Sequence, residues 1–251
     1  MEIPLPIDPL YGYALVFARV SAIVMLMPAL GDAWVPMRAR LIFALAFSAL
    51  LAGLGMGSVS MPATFTATAY MLTAETATGL VIGGAMRFFL AAPAIAGQLS
   101  SQLTALSNIF AAAGLPMETS SILGVWFIMG AVAFIFVSGL HYMMLDTVAI
   151  SYSIIPMGEF PHMGDTAKQA AHIFAGVFML GVQMAAPFIL LGIIFNLGVG
   201  LINKMLMSMP IYFIAMPVSI LGGFYVLAHV IGPVMSAFRS VFAAWLAAPF
   251  Q

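Results

Sequence analysis

Long apolar runs, broken at intervals by Pro, Gly and single charges, set the pattern of this chain. The gaps between charges enclose several stretches long enough to cross a bilayer: Arg40 to Glu75, Arg87 to Glu118, Glu118 to Asp146, Lys168 to Lys204 and Lys204 to Arg239. A helix needs about 20 apolar residues to span the hydrocarbon core. The pattern predicts a first helix over Tyr11–Met27, carrying Arg19 in its middle. A second follows over Met37–Leu51 and a third over Phe65–Ala92, with Glu75 and Arg87 inside it. A more polar helix is predicted over Ala94–Phe110. A fifth covers Ser121–Ile154, and a sixth covers Thr166–Leu206 with a break near Pro187. The last covers Ile211–Leu246, interrupted at Pro217, Gly222-Gly223 and Pro233. No run alternates as a half-buried strand would. The expectation is an all-α polytopic membrane protein with about six hydrophobic segments, several broken by Pro or Gly.

Composition strengthens that reading. Of 251 residues, 64% are hydrophobic and 6% charged, where soluble domains carry roughly 25% charged residues. Mean hydropathy is +1.15. A soluble fold of this size still exposes about a quarter of its unfolded surface, too much to hide such a composition. Disorder requires the opposite balance. The net charge of -1 offers no basic footprint for nucleic acid. With no cysteine, disulfides, thiolate metal sites and Cys nucleophiles are all excluded. The start, MEIPLPIDPL, lacks the basic region of a removable signal peptide and is expected to be an ordered tail. Lys and Arg in the loops are too few to fix the orientation.

Four features carry candidate chemistry. In the polar helix Leu99, Leu103, Leu106 and Phe110 fall within an arc of about 60°, at roughly 100° per residue. Gln98, Ser101, Gln102 and Asn108 lie outside that arc. Such an uncharged polar face serves either as hydrogen-bonding glue between membrane helices or as the wall of a wet conduit. The following loop, Ala111-Ala112-Ala113-Gly114-Leu115-Pro116-Met117-Glu118, is small, apolar and Gly/Pro-bearing. It is an ordinary connection, or a hydrophobic closure of a pore. Glu75, Gly79 and Gly83 recur every four residues on one helix, and small residues at that spacing allow close helix approach. Glu75 is an intramembrane carboxylate with Arg19 and Arg87 as candidate partners. Arg87 sits about 120° around the same helix, out of register. A structural ion pair or intersubunit contact is expected ahead of a proton relay. His141 and Asp146 are five apart, a poor spacing for one face. His162, His172 and His229 match no metal spacing. No cofactor or metal is expected, and no nucleophile elbow, phosphate loop or carboxylate pair supports an enzyme.

An ordered series of motifs then resembles one family. Phe17-Ala18-Arg19 with Pro28, and Val35-Pro36 with Arg40, resemble the opening of the FliR family of flagellar type III export-gate proteins. Glu75, Gly79 and Gly83 resemble its third-helix signature, and Ala96-Gly97-Gln98 its entry into a polar helix. Gly139-Leu140-His141 with Ser151 and Pro156 resembles its central region. Ala186-Pro187, Asn196, Gly198, Lys204, Met209-Pro210, Pro217 and Gly222 resemble its closing run. The resemblance covers about residues 10–225. The chain departs from it after the polar helix, where an Asp-Pro is usual, and after Met209-Pro210, where Gln-x-Asn is usual.

The resemblance implies a non-enzymatic subunit that joins FliP and FliQ in a closed helical gate, with FlhB associated. The gate lies in the bacterial inner membrane at the flagellar basal body, and unfolded flagellar subunits pass through it. It also implies a FliP-like part over about 1–165 and a FliQ-like hairpin over about 166–251. By position, the plug loop is Asn108, Ile109, Phe110, Ala111, Ala112, Ala113, Gly114, Leu115 and Pro116, with Gln98, Ser101 and Gln102 toward the conduit. The homologous SctT subunit of a virulence injectisome shares the motifs. A proton-coupled transporter using Glu75 and His141–Asp146 is the reading from another class. It calls for an internal repeat, and none is visible.

Overall fold

A computed structural model describes residues 7–104, 122–205 and 211–249. These residues form eight helices: α1 Ile7–Leu26, α2 Met37–Gly53, α3 Phe65–Phe88, α4 Ala91–Leu103, α5 Ile122–Val137, α6 Leu140–Ile154, α7 Met163–Met205 and α8 Ile211–Ala247. The protein is polytopic and all-α. Among the described residues, four stretches are long and apolar enough to cross a membrane: Asp8–Leu26, Phe65–Leu103, Met163–Met205 and Ile214–Ala247. A fifth exists if α5 and α6 are taken as one broken span.

Local chemistry accounts for most boundaries. Asp8 sits in the first turn of α1, where a carboxylate complements the helix dipole. Pro36 precedes α2 with φ -58 and ψ 140, extended backbone that cannot continue a helix backwards. Pro93 falls in the first turn of α4, where a missing N–H costs nothing. Pro156 stops α6.

Four expectations about the helices need correction. The single helix expected over Ser121–Ile154 is two, parted at Ser138-Gly139. Gly139 has φ +76, the left-handed conformation that closes many helices and that glycine adopts without strain. The helix expected to reach Ala92 stops at Phe88, and the polar helix starts at Ala91. The break expected near Pro187 does not occur: α7 runs 43 residues through it. Nor do Pro217, Gly222-Gly223 or Pro233 interrupt α8, which runs 37 residues. A proline removes one backbone bond and bends a helix. In an apolar setting the unwound alternative frees several polar groups, so the helix persists.

The chain forms two compact units. The first holds residues up to Phe89, Leu140–Ile173 and Trp245 onward. Its core is Leu15, Val16, Val20 and Ile23 of α1 with Ala74, Ile82 and Met86 of α3, all buried. The second holds Leu90–Gly139 and Phe174–Ala244. There Phe127 of α5 meets Phe188 of α7 edge to face at 6.1 Å. The boundary expected near residue 165 corresponds to the first turn of α7, and the residues of that helix up to Ile173 belong to the first unit.

Between membrane helices lipid removes most of the hydrophobic drive, so close packing carries the association. In the second unit α4 is gripped by glycines. Gly97 lies backbone to backbone on Gly124 of α5. Gly181 and Gly192 of α7 face Ile95 and Leu103, and Gly223 of α8 faces Thr104. A side chain at Gly97 would strike the Gly124 backbone itself.

Candidate functional site

In the first unit, close helix approach builds a buried polar cluster. Gly79 and Gly83 of α3 lie against α1. A Cβ on Gly79 would sit 2.5 Å from the Arg19 carbonyl oxygen and 2.7 Å from the Ala22 Cβ. One on Gly83 would sit 3.0 Å from the Ile23 Cα. These two absences of side chain let Arg19 and Glu75 meet inside the fold, both fully buried. Arg19 Nε donates to Glu75 Oε2 at 2.6 Å and Nη2 donates to Oε1 at 3.0 Å, a bidentate fork.

The remaining contacts come from farther along the chain. Arg19 Nη1 donates to the Ser151 carbonyl at 3.2 Å and to the Ile155 carbonyl at 3.1 Å. The Gly158 N–H donates to Glu75 Oε1 at 2.7 Å. The guanidinium lies 4.2 Å from the Tyr152 ring centroid, within cation–π range. The cluster therefore ties α1, α3, the end of α6 and the 155–158 turn. Both carboxylate oxygens are engaged, and the two charges cancel. Removing one partner from such a pair is costly, because it strands the other charge away from water. Gly158 has φ +82, so the turn that presents its N–H needs glycine. Pro156-Met157-Gly158 carries that turn signal in the sequence. Nothing in the sequence pointed to the Ile155 carbonyl.

Arg87 is elsewhere. It lies in the last turn of α3, 43% exposed, and pairs with Asp32 Oδ1 at 3.0 Å. Asp32 Oδ2 also accepts from the Ala29 N–H at 3.2 Å, holding Ala29 at φ +72. Arg40 Nε donates to the Val35 carbonyl at 3.0 Å. Arg87 is thus a surface clasp on the 27–36 loop, and Asp32 had not been singled out. At a helix end it also departs from the mid-helix charge expected of it.

In the second unit, Gln98 and Gln102 of α4 are exposed, one turn apart. Ser101 is buried, and its hydroxyl lacks a hydrogen-bond partner. The three do not share one outward strip. The loop Asn108–Pro116 lies outside the described residues. Among the described residues, no three His, Asp or Glu side chains converge where a metal ion could sit.

The sequence matches the model of the family described as bacterial export proteins, family 1, over residues 10–245. The chain belongs to that family. It is 37% identical over 221 residues to the flagellar biosynthetic protein FliR of Caulobacter vibrioides, covering 87% of each chain. It is 26% identical over 243 residues to FliR of Bacillus subtilis, covering 94% of this chain and 92% of that one. It is 22% identical over 211 residues to FliR of Escherichia coli, covering 84% and 80%. The match runs from α1 into α8 and takes in both units. The Arg19–Glu75 cluster and the glutamines of α4 therefore both lie within the matched part of this family 1 export protein.

Proposed function

We propose that this export protein is the FliR-type subunit of the flagellar type III export gate. The carrying observation is its 37% identity to a FliR across 87% of both chains. It is a membrane-embedded component of the flagellar export apparatus, and it acts by holding and sealing a passage, without catalysis. Its place is the bacterial inner membrane at the basal body. FliP-like and FliQ-like subunits and an FlhB-like protein are its neighbours, and unfolded flagellar subunits are its cargo.

The geometry supports a division of labour. The Arg19–Glu75 cluster fixes the first unit. In the second, glycines lock α4 in place while Gln98 and Gln102 stay exposed, just before the Asn108–Pro116 segment. In this reading that segment plugs the closed pore, and the two glutamines wet the path beside it. The polar exposure of an otherwise apolar helix favours a conduit over lipid contact. The relatives named above are all flagellar, which favours this role over that of the injectisome subunit.

Deleting the gene should abolish motility and the secretion of hook and filament subunits; a deletion strain that swims would overturn the assignment. Removing Ala111–Gly114 should leave complex yield normal and make the membrane leak small solutes. Normal yield with no leak removes the plug.

A further inference from the structure

The first unit holds a cavity of about 430 Å³ where the start of α1 meets the end of α2 and the turn after it. Asp8, Tyr13, Ala52, Gly57, Ser58 and Ser60 line it. Its volume falls among those of small-molecule sites, which run from about 300 to 1,000 Å³. Asp8 opens the apolar stretch Asp8–Leu26, and α2 ends at Gly53. The cavity therefore sits at one end of the apolar length of these helices, at the depth of a membrane surface.

Backbone contacts fix its walls. A Cβ on Gly12 would strike the Gly57 carbonyl, so α1 and the turn meet backbone on backbone. Gly57 has φ +123 and Gly55 has φ +92, conformations that suit glycine. The Met56 N–H donates to the Leu51 carbonyl at 3.2 Å and closes the end of α2. Asp8 Oδ1 accepts from the Met61 N–H at 2.9 Å, and the Tyr13 hydroxyl donates to the Leu45 carbonyl at 3.0 Å.

The charge in this cavity is one-sided. Asp8 is the one charged residue among the described residues that line it. Its Oδ2 has no hydrogen-bond partner among the described residues, and neither has the Ser60 hydroxyl. Through Ala52 the cavity also meets the C-terminal end of α2, the negative end of a helix dipole. The Tyr13 ring in its wall attracts cations. The N-terminus of α1 opposes them with about half a charge, against a whole one on Asp8.

We propose that this cavity binds the headgroup of an aminophospholipid, with its primary ammonium on Asp8 Oδ2 and its phosphate at the Ser60 hydroxyl. A primary ammonium donates hydrogen bonds, and Asp8 Oδ2 is a charged acceptor without a donor. A choline headgroup has no N–H to give, and one ring falls short of the aromatic cage that quaternary ammonium needs. An anionic headgroup brings no cation to Asp8. Leu10, Leu50 and Leu54, each within two residues of the lining in sequence, are exposed and offer acyl chains an apolar path. A free amine has no use for that surface, which favours the lipid. The bound headgroup pins the start of α1 to the membrane surface, and nothing in this site depends on the gate assignment.

The test mixes the full chain, purified in mild detergent, with equal amounts of phosphatidylethanolamine, phosphatidylcholine and phosphatidylglycerol bearing the same acyl chains. Native mass spectrometry reads the adducts. Wild type should carry the ethanolamine lipid about tenfold over each of the others, the selectivity of one hydrogen bond to a charged group. Asp8→Asn keeps an acceptor for the Met61 N–H and should bring the three lipids within about twofold of one another. Ala52→Phe fills the cavity from α2 and should do the same with Asp8 intact. Ser60 is exposed, so Ser60→Ala leaves the fold untouched and should lower the preference about threefold. A wild type that takes the three lipids equally overturns the inference, and so does an Asp8→Asn chain that keeps the preference. Soluble O-phosphoethanolamine at the lipid concentration should leave the adduct in place. Displacement of the lipid by it makes the ligand a free amine, and the lipid assignment falls.

Discussion

Replacing Glu75 with Leu removes half of a buried ion pair and leaves three consequences. The Arg19 guanidinium keeps its charge with no counter-charge, the Gly158 N–H loses its acceptor, and the bidentate fork disappears. Breaking a buried pair from one side typically costs about 3–5 kcal/mol. Arg19→Met strands the carboxylate instead and should cost a similar amount. If the two effects were independent, the double variant would lose roughly 6–10 kcal/mol. The structure predicts otherwise. With both charges gone, the remaining cost is the orphaned Gly158 N–H and Ile155 carbonyl, about 1–3 kcal/mol each. The Ser151 carbonyl keeps the Ile155 N–H as a donor at 3.0 Å. An apolar replacement of a buried pair can return about 1–4 kcal/mol. The double variant should therefore be no less stable than either single. For a chain of this size 1 kcal/mol moves Tm by about 2–4 °C, so each single variant should lose roughly 6–20 °C and the double variant no more. Thermal unfolding of the purified protein in detergent, followed by near-ultraviolet circular dichroism, gives all four values. Additive losses refute the account of a neutral structural pair. A Glu75→Leu protein with wild-type Tm and no export refutes it differently, by making Glu75 a working group.

Three further outcomes follow from the same geometry. Gly79→Ala should lower stability by about 1–3 kcal/mol, because its Cβ meets the Arg19 backbone; Gly84→Ala, with open space around it, should raise stability by about 0.5–1 kcal/mol. The pair is compared by Tm in one detergent. Arg87→Ala should change stability by less than about 1 kcal/mol, since its pair with Asp32 is part exposed, and a loss as large as that of Arg19→Met would contradict the difference in burial. Gln98→Leu with Gln102→Leu should leave complex yield intact and lower secretion of hook subunits several-fold, measured in culture supernatants.

The hydrophobic pattern makes the helical, membrane-spanning class legible, along with most helix positions. The misreadings share a cause. Proline and glycine were read as breaks, yet at Pro187, Pro217 and Pro233 the apolar surroundings make continued helix cheaper than unwinding. At Gly139 a true break went unread, because a single helix-closing glycine looks like the others nearby until its φ is known. The site divides in the same way. Arg19, Glu75, Gly79 and Gly83 are conspicuous as charges and small residues in apolar helices. Which arginine meets Glu75 depends on packing over 56 positions, and periodicity on one helix only eliminates Arg87. The Gly158 N–H and the Ile155 carbonyl were invisible because backbone groups leave no mark in a sequence.

The first unit also sets an order on synthesis. Thr147 donates to the Leu246 carbonyl at 3.3 Å, Gln169 donates to the Pro249 carbonyl at 2.6 Å, and Phe89 packs on Trp245 with ring centroids 5.3 Å apart. Residues 245–249 are therefore part of the wall of a unit whose first helix left the ribosome more than two hundred residues earlier. α1 and α3 can join as soon as both are inserted, but their unit stays open on one side until translation has passed residue 249. A chain stalled in α8 would hold a formed Arg19–Glu75 pair and a Phe89 still without its Trp245 neighbour. Quality control that reads exposed aromatic surface would then distinguish finished subunits from unfinished ones before any gate is assembled.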